Sequence, residues 1–379
     1  MRQAVRARVE LGPGKTTTET LDEREVRTWG GQRGLALPVL ASRLTRDTDP
    51  LSPENTLVVA AGLLNGLAFP GTCRYGVYAK SPLTGAFGES EAGGNFGPAM
   101  RAQGIDAIVL EGASERPVYL WVENGSVTVH DASDLWGKPN RETLEALTAR
   151  HGAISALLVG PAGEKLVRYA CVINDLRHAN GRTGMGAVFG SKRVKAVAAP
   201  APKAIPPVVP ERLKEAHALF AGWKENPLSW GLRETGTPAA VGGLNALGIL
   251  PTRNFQDGSF EGADRITGAA YNRDLLGGNH GCFSCAIRCK RVSKPGERDI
   301  DHVYGGPEYE TVGAFGPVCG CGDLQAAAKA HERCNALGLD TISTGMTIAW
   351  LMEAVERGLI RPEKAGVGGF GDTEGMLGL

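Results

Sequence analysis

Short apolar runs separated by glycines and turn residues characterise the first half of the chain. Apolar positions recur over residues 106–130, with distinct runs at 118–122 and 127–129. The pair Asn124-Gly125 stands between those two runs, and this pair flanked by apolar alternation is a strong hairpin signal. Further strands are predicted at 155–159, 166–173 and 187–197. The pattern therefore indicates an α+β region built of sheets with short strands.

One amphipathic helix interrupts these strands. Leu144 and Leu147 share a face over residues 141–150. Asn140 is placed to cap the start of this helix, and Gly152 follows its end. We therefore expect the helix to run from the cap to this glycine.

The periodicity becomes helical after the proline-rich segment 200–210. Its prolines favour an extended connection and disfavour both helix and central strand, so the segment indicates a domain boundary. The predicted helices, the last two ending before a glycine, are 211–224, 323–337 and 342–357. We therefore predict an α+β domain over 1–205 and a mostly α-helical domain over 206–379.

The last residues predict the start of another helix. Asp372-Thr373 has the pattern of a helix cap, and Met376, Leu377 and Leu379 begin an apolar face that stops within two turns. We expect the chain to be a fragment that is truncated before a third helical domain.

Charge and hydropathy exclude several classes of protein. Forty-one basic and forty-one acidic residues cancel, which leaves no electrostatic footprint for nucleic acid. The basic first residues are not followed by the apolar segment of a secretory signal. The most apolar stretch, 57–69, is interrupted by Asn65 and is too short to span a bilayer. We expect a cytoplasmic protein with no membrane partner.

Three cysteines form the most informative motif. Cys282, Cys285 and Cys289 are separated by two and then three residues, so one short loop can aim three thiolates at a single iron–sulfur cluster. A zinc site would require a fourth Cys or His at finger-like spacing, and three unrelated buried thiols are the other alternative. In a reducing compartment, eight cysteines point to metal or redox chemistry more than to disulfides.

Four local strings occur together along the chain. The first is 73–85 followed by Gly-Gly-Asn-Phe-Gly at 93–97, and the second is Gly-Arg-Thr-Gly-Met-Gly-Ala-Val-Phe-Gly-Ser-Lys at 181–192. The third is the cysteine motif, and the fourth is Pro-Glu-Tyr-Glu-Thr at 307–311 followed by Leu-Gly-Leu-Asp-Thr-Ile-Ser-Thr-Gly at 337–345. In this order and at these separations, the strings resemble those of the tungsten-containing aldehyde:ferredoxin oxidoreductases. The resemblance covers nearly the whole chain.

The resemblance implies a tungsten, or less often molybdenum, atom held by two pyranopterins beside a [4Fe–4S] cluster. Glycine-rich loops suit the pterin phosphates because they present backbone amides in tight turns. The positions that match cofactor-binding residues of the family are Arg74, Gly94, Asn95, Gly97, Gly181, Arg182, Thr183, Gly184 and Asp340. Asn95 and Thr183 match residues whose backbone carbonyls bind a magnesium ion. Arg74 matches an arginine that links pterin to cluster, and the Asp340 carboxylate suits two N–H donors of a pterin ring.

The resemblance also implies the reaction, the partners and the proton-handling groups. An aldehyde and water would give a carboxylic acid, with electrons passing through the cluster to ferredoxin or to an iron–sulfur or flavin partner subunit. Because aldehyde oxidation releases protons, Glu308 and Glu310 are the candidates for catalytic proton transfer, and ordinary solvated carboxylates are the alternative for each. Two carboxylates on one extended segment would share a face. A homo-oligomer is compatible with this interpretation. The alternatives are a relative that reduces an aromatic acyl-CoA or oxidises a hydroxy acid, and a non-catalytic iron–sulfur or pterin-binding fragment.

Two strings depart from the family pattern. The fourth cluster cysteine of the family belongs to an Asp-x-x-Gly-x-Cys string, which does not occur in these residues. Cys319 and Cys321 form a Cys-x-Cys pair that could supply a substitute ligand, although their place before the helix at Asp323 matches a family loop without that role. The segment 30–34, Gly-Gly-Gln-Arg-Gly, carries one residue more than the usual Gly-Gly-Arg-Gly. The cysteines predicted to be small core residues are Cys73, Cys171 and Cys334.

Overall fold

The computed structural model describes residues 3–223 and 226–379, which form two compact units. The first unit runs to Ala221 and also includes Cys282–Ala286 and Asn335–Asp340. The second unit contains the remaining described residues from Gly222 onward. The predicted boundary at residue 205 stays a prediction.

The first unit contains two six-stranded sheets. The first sheet has the order β2-β1-β6-β3-β4-β5, in which only β1 and β6 are parallel. Its strands are β1 (Val5–Glu10), β2 (Lys15–Thr20), β3 (Leu57–Ala61), β4 (Tyr75–Lys80), β5 (Phe87–Ala92) and β6 (Ala107–Glu111). The second sheet has the order β11-β10-β9-β12-β7-β8. Its strands are β7 (Val118–Glu123), β8 (Ser126–Asp131), β9 (Ile154–Val159), β10 (Val172–Asn174), β11 (His178–Asn180) and β12 (Val194–Pro200).

Seven helices accompany these sheets in the described residues of the first unit. They are α1 (Glu23–Trp29), α2 (Arg33–Arg43), α3 (Phe96–Ala102), α4 (Asn140–His151), α5 (Pro161–Glu164), α6 (Met185–Ser191) and α7 (Pro210–Gly222, whose last residue belongs to the second unit). Strand β3 is apolar throughout because both of its faces are covered. Val59 lies in a core with residues of both sheets, whereas Val58 packs on the opposite face with Leu35 of α2.

The second unit is mainly helical. Its helices are α8 (Pro227–Thr235), α9 (Ala240–Ala246), α10 (Gly268–Asp274), α11 (Tyr309–Phe315), α12 (Leu324–Leu337, whose last turn belongs to the first unit), α13 (Thr341–Glu356), α14 (Pro362–Ala365) and α15 (Thr373–Gly378). One small antiparallel ribbon joins β13 (Leu276–His280) to β14 (Lys290–Ser293). The apolar core of the second unit includes Val241, Ile266 and Val312.

The predicted fold class is confirmed, and several predicted elements are found. Asn124 and Gly125 connect β7 to β8 with φ values of 49° and 76°, as a tight hairpin requires. Asp372 caps α15 by accepting a hydrogen bond from Gly375 N at 3.0 Å. Gly338 and Gly358 follow α12 and α13 with positive φ. The predicted helix 211–224 corresponds to α7, and its last residue, Lys224, lies outside the described residues.

Three local predictions are wrong. Only the end of 166–173 forms a strand, β10, and 187–197 begins inside helix α6. A short apolar run has no period that separates strand from buried helix, which explains the second error. Asn140 is the first residue of α4 rather than its cap, and its buried side chain instead donates to the carbonyl of Asn335 at 2.7 Å.

A buried histidine in α12 predicts acid sensitivity of the second unit. His331 is 5% exposed and its Nε2 lies 3.1 Å from the carbonyl of Tyr304. Burial, with the nearby charge of Lys290, lowers the pKa of His331 from its ordinary 6.5 to about 4, while Tyr304 and Glu308 act in the opposite direction. In the unfolded chain this histidine binds a proton near pH 6.5, whereas in the folded protein it stays neutral down to about pH 4. Its contribution to the free energy of unfolding is therefore fully present above about pH 6.5 and is lost as the pH falls toward 4.

We expect this group to remove about 3 kcal/mol from the free energy of unfolding between about pH 7 and pH 4. Denaturant titrations at several pH values measure it, and His331→Gln should flatten the slope. His302→Gln, at an exposed histidine of the same unit, is the control and should keep the slope. An unchanged slope in His331→Gln would contradict the assignment.

Among the described residues, the structure contains no helix long and apolar enough to cross a membrane.

Candidate functional site

A cleft of about 450 Å³ opens in the first unit, where three loops meet. Its lining comprises Gly31, Gln32, Gly62, Leu63, Leu64, Asn65, Phe69, Pro70, Gly71, Thr72 and Arg74. Within residues 3–223 and 226–379, neither Gln32 Nε2 nor Asn65 Oδ1 has a hydrogen-bond partner, although both atoms are buried. A buried donor and a buried acceptor without partners are costly, and they mark a surface that suits a polar ligand.

Local backbone geometry places these side chains. Gln32 adopts a φ of 51° immediately before α2, and its N–H donates to the carbonyl of Ala61 at 3.0 Å. A Cβ on Gly31 would lie 2.7 Å from the backbone nitrogen of Leu63, so only glycine allows this approach. The carbonyl of Arg74 accepts hydrogen bonds from Gly62 N at 3.1 Å and Asn65 Nδ2 at 2.6 Å. These two hydrogen bonds hold the backbone of Arg74 in place, while its side chain is exposed.

The loop from Gly93 to Gly97 is packed against the second sheet. Gly94 has a φ of 92°, and a Cβ there would come within 2.2 Å of Asn174 Oδ1. The same oxygen accepts hydrogen bonds from Asn95 N at 3.2 Å and Phe96 N at 3.4 Å. A Cβ on Gly97 would lie 2.7 Å from Asn65 Nδ2, so this loop adjoins the cleft. The structure thus brings Gly94, Asn95 and Gly97 together.

Asn174 and Asp175 are functional candidates that the sequence analysis missed. Asp175 accepts hydrogen bonds from Ser155 Oγ at 2.7 Å and Ala156 N at 2.8 Å. Burial raises the pKa of Asp175, while hydrogen bonds from Ser155, Ala156, Asn174 and Asn95 act against that rise. Adjacent Asn and Asp between short apolar runs were a turn signal, but their contact with Asn95 depends on the tertiary structure.

The loop from Gly181 to Gly184 makes a tight turn before α6. Thr183 and Gly184 both have left-handed φ, at 67° and 77°. Thr183 Oγ1 donates to the carbonyl of Glu89 at 3.2 Å, and the carbonyl of Thr183 accepts from Ser81 Oγ at 2.8 Å. These contacts fix the strained threonine and leave one lone pair of its carbonyl oxygen for another partner.

Asp340 lies beside this turn. Its N–H donates to the carbonyl of Tyr169 at 3.2 Å, and the preceding residue, Leu339, pairs with Ala170 in an isolated β-bridge. The Asp340 side chain is 4% exposed and its Oδ2 is 3.7 Å from Arg182 Nη1. A Cβ on Gly181 would lie 3.8 Å from Asp340 Oδ1. Asp340 therefore forms one cluster with Gly181 and Arg182, which precede it by more than 150 residues in the sequence.

The cysteine motif divides between the two units. Cys282 and Cys285 belong to the first unit, where the N–H of Phe283 donates to the carbonyl of Gly94 at 3.2 Å, and Cys289 belongs to the second unit. None of the three forms a disulfide, and all three are partly exposed. The described part of the chain contains no group of three His, Cys, Asp or Glu side chains already arranged around a metal position. The donor set nevertheless suits an iron–sulfur cluster, because all three ligands are thiolates on one short loop.

Cys73 is buried, as predicted, but it is more than a small core residue. Its thiol is hydrogen-bonded to that of Cys282, and this contact together with burial raises the pKa of Cys73 well above its ordinary value. Cys171 and Cys334 are also buried. Cys319 donates its S–H to the carbonyl of Ala314 at 3.3 Å, which indicates a structural role.

Glu308 and Glu310 differ in their surroundings. Glu308 accepts hydrogen bonds from Lys290 Nζ at 2.9 Å and Thr237 Oγ1 at 2.5 Å through different oxygens. Glu310 is exposed in the first turn of α11. The expectation that both lie on one extended segment is wrong, because the helix begins at Tyr309. Their role in proton transfer stays a prediction.

Two family models together match almost the whole chain. The model of the aldehyde ferredoxin oxidoreductase N-terminal domain matches residues 6–201, and that of domains 2 and 3 matches residues 215–379. The chain belongs to the aldehyde ferredoxin oxidoreductase family. The resemblance drawn from the four strings is thereby confirmed, and two members to which the chain is 40% identical are named as oxidoreductases.

Curated relatives of this family share substantial identity with the chain. It is 40% identical to the tungsten-containing aldehyde ferredoxin oxidoreductase of Pyrococcus furiosus over 370 residues, which is 95% of this chain and 60% of the relative. The enzyme of the same name from Thermococcus kodakarensis is also 40% identical, with the same coverage. The WOR-like subunit of an aliphatic sulfonate oxidoreductase from Pyrococcus furiosus is 29% identical over 94% of this chain and 60% of the relative. The chain thus spans about three fifths of the length of these relatives.

A solved structure supports the fold. The chain superimposes with a TM-score of 0.83 on a chain of the active site complex BamBC of benzoyl coenzyme A reductase in complex with 1,5-dienoyl-CoA. The match covers 99% of this chain and 59% of the other, at 24% identity. At this identity, the likeness supports the α+β and helical architecture and carries no argument about substrate.

Proposed function

We propose that the first unit forms the base of a bispyranopterin tungsten or molybdenum site in an aldehyde-oxidising enzyme. When bound, that metal centre supplies the redox chemistry that removes two electrons from the substrate. Cys282, Cys285 and Cys289 would ligate a [4Fe–4S] cluster that passes these electrons on. The observation that carries the proposal is the cleft in which a buried donor and a buried acceptor without partners flank an arginine.

The residues of the cleft fit a phosphate-bearing heterocycle. Gln32 Nε2 offers a hydrogen-bond donor and Asn65 Oδ1 an acceptor, which together match the mixed edge of a pterin. The exposed guanidinium of Arg74 suits a phosphate or a pterin oxygen. Gly31, Gly62 and the loop at Gly94 allow close backbone approach, which a larger side chain would block.

Asp340 and Arg182 would hold the second pterin. A buried carboxylate accepts two N–H donors side by side, and its charge favours a ligand with an amino-pyrimidine edge. The paired Arg182 limits the cost of burying that charge while the ligand is absent. Backbone carbonyls of Asn95 and Thr183 would bind a magnesium ion, since hard cations prefer oxygen ligands.

Aldehyde oxidation is the reaction that the comparisons favour. One aldehyde and one water give one carboxylic acid, two protons and two electrons, and the electrons would leave singly through the cluster to ferredoxin or to an iron–sulfur or flavin partner subunit. Identity is 40% to the named aldehyde enzymes and 29% to the sulfonate relative. The acyl-CoA alternative rests on fold likeness alone. We therefore propose a small-molecule aldehyde as substrate.

The test combines cofactor content with activity. The full-length protein purified anaerobically should contain tungsten or molybdenum, pterin and iron, and should reduce an artificial one-electron acceptor when an aldehyde is added. Asp340→Asn should weaken pterin retention by about 10- to 100-fold, because a charge-assisted hydrogen bond contributes about 1.5–3 kcal/mol. Bound pterin is measured by its fluorescence after oxidative release.

Asp134→Asn is the matched control, since it removes one charge from an exposed aspartate–arginine pair of the same unit. It should retain pterin and metal as the unaltered protein does. A protein that binds no pterin under any of these conditions would refute the proposed function, whereas full retention in Asp340→Asn would refute only the role of Asp340.

A further inference from the structure

A buried thiol outside the three-cysteine motif touches that motif. A Cβ built on Gly93 would lie 2.6 Å from Cys282 Sγ and 3.7 Å from Cys73 Sγ, so both sulfur atoms pack against the same glycine. The two thiols are hydrogen-bonded to each other. Cys73 is 2% exposed, which protects this contact from water.

We propose that Cys73 is a positioning residue for the iron–sulfur centre, whose S–H donates a hydrogen bond to the Cys282 sulfur and raises the reduction potential of the cluster. This inference rests on the proposed function, because it requires Cys282 to be a cluster ligand.

The chemistry of the pair defines the direction of the effect. A ligating Cys282 is a thiolate and can only accept hydrogen bonds, so the neighbouring buried thiol is the donor. Reduction places an additional negative charge on the cluster and its sulfur ligands, and a donor to one of those sulfurs stabilises the reduced form. The hydrogen bond therefore favours electron acceptance at this centre.

The surrounding structure holds the donor in place. Cys73 lies two residues before Tyr75. The ring of Tyr75 packs edge-to-face on Phe96 at 5.5 Å, and its hydroxyl donates to Asn180 Oδ1 at 2.7 Å. Hydrogen bonding between Phe283 N and the carbonyl of Gly94 holds the cysteine loop beside the same segment. The absence of a side chain at Gly93 provides the space that the two sulfurs share.

The experiment measures the midpoint potential of the cluster in the full-length holoprotein by an electron paramagnetic resonance titration. Cys73→Ala and Cys73→Val remove the donor, and Cys73→Ser retains one. We expect the first two to lower the ratio of reduced to oxidised cluster about tenfold at a fixed solution potential, which corresponds to about 59 mV for one electron. Cys73→Ser should stay close to the unaltered protein. Cys334→Ala, at a buried thiol of the second unit, is the control and should not move the potential.

The outcomes separate this inference from the proposed function. Equal potentials in all Cys73 variants that bind the cluster would overturn it. Loss of iron and of the cluster signal in Cys73→Ser and Cys73→Ala alike, with normal folding by circular dichroism, would also overturn it and would make Cys73 a direct ligand. If the unaltered protein itself contains no iron–sulfur cluster, the proposed function fails instead.

Discussion

Replacing Glu310 by Gln is expected to lower kcat for aldehyde oxidation by about 100- to 10,000-fold, the range for loss of a general acid–base group. The carboxylate is exposed at the start of α11, where it can exchange protons with water or substrate. Glutamine keeps the shape and the hydrogen-bonding capacity of the side chain but cannot accept the proton. The measurement is aldehyde-dependent acceptor reduction across the pH range, normalised to bound metal. We expect the variant to lose the acidic limb of the pH profile together with its rate.

Glu363→Gln is the matched control, because Glu363 is likewise an exposed glutamate in the first turn of a helix, α14, of the same unit. This variant should keep both kcat and the form of the pH profile. If Glu310→Gln keeps normal kcat with a full complement of metal, Glu310 has no role in proton transfer.

Replacing Gly184 by Ala is expected to destabilise the first unit by about 2–5 kcal/mol and to prevent pterin retention. The φ of 77° alone costs an L-residue about 1–2 kcal/mol. A Cβ there would also lie 2.1 Å from the carbonyl oxygen of Arg168 and 3.0 Å from Pro82 Cγ, so backbone must shift, at a cost of about 1–3 kcal/mol. Denaturant unfolding measures the stability, and released pterin measures retention.

Gly125→Ala separates the cost of the positive φ from the cost of the steric contact. Gly125 has a nearly identical φ of 76° in the β7–β8 hairpin, but a Cβ there would meet nothing within 4 Å. This variant should lose only about 1–2 kcal/mol and should retain pterin normally. Equal destabilisation of the two variants would mean that the contact with Arg168 contributes nothing and that backbone conformation alone requires glycine at position 184.

Local signals in the sequence were sufficient for much of the architecture. The Asn124-Gly125 hairpin, the glycine stops after α12 and α13 and the Asp372 cap depend on contacts within a few residues, so short-range chemistry determines them. Apolar runs without such boundary signals were ambiguous. The run after Gly184 contains both α6 and β12, and only packing selects where the helix ends.

Four short strings also predicted the family, because their order and spacing are a property of the sequence itself. The site required more than spacing. Asp340 meets Arg182, Asn174 supports the Asn95 loop, and Cys73 touches Cys282, each across at least 79 residues of chain. Residue types and local turns thus determined which chemistry is available, whereas long-range sheet packing decided which of these groups meet, because side chains distant in sequence become neighbours only when a common core is buried.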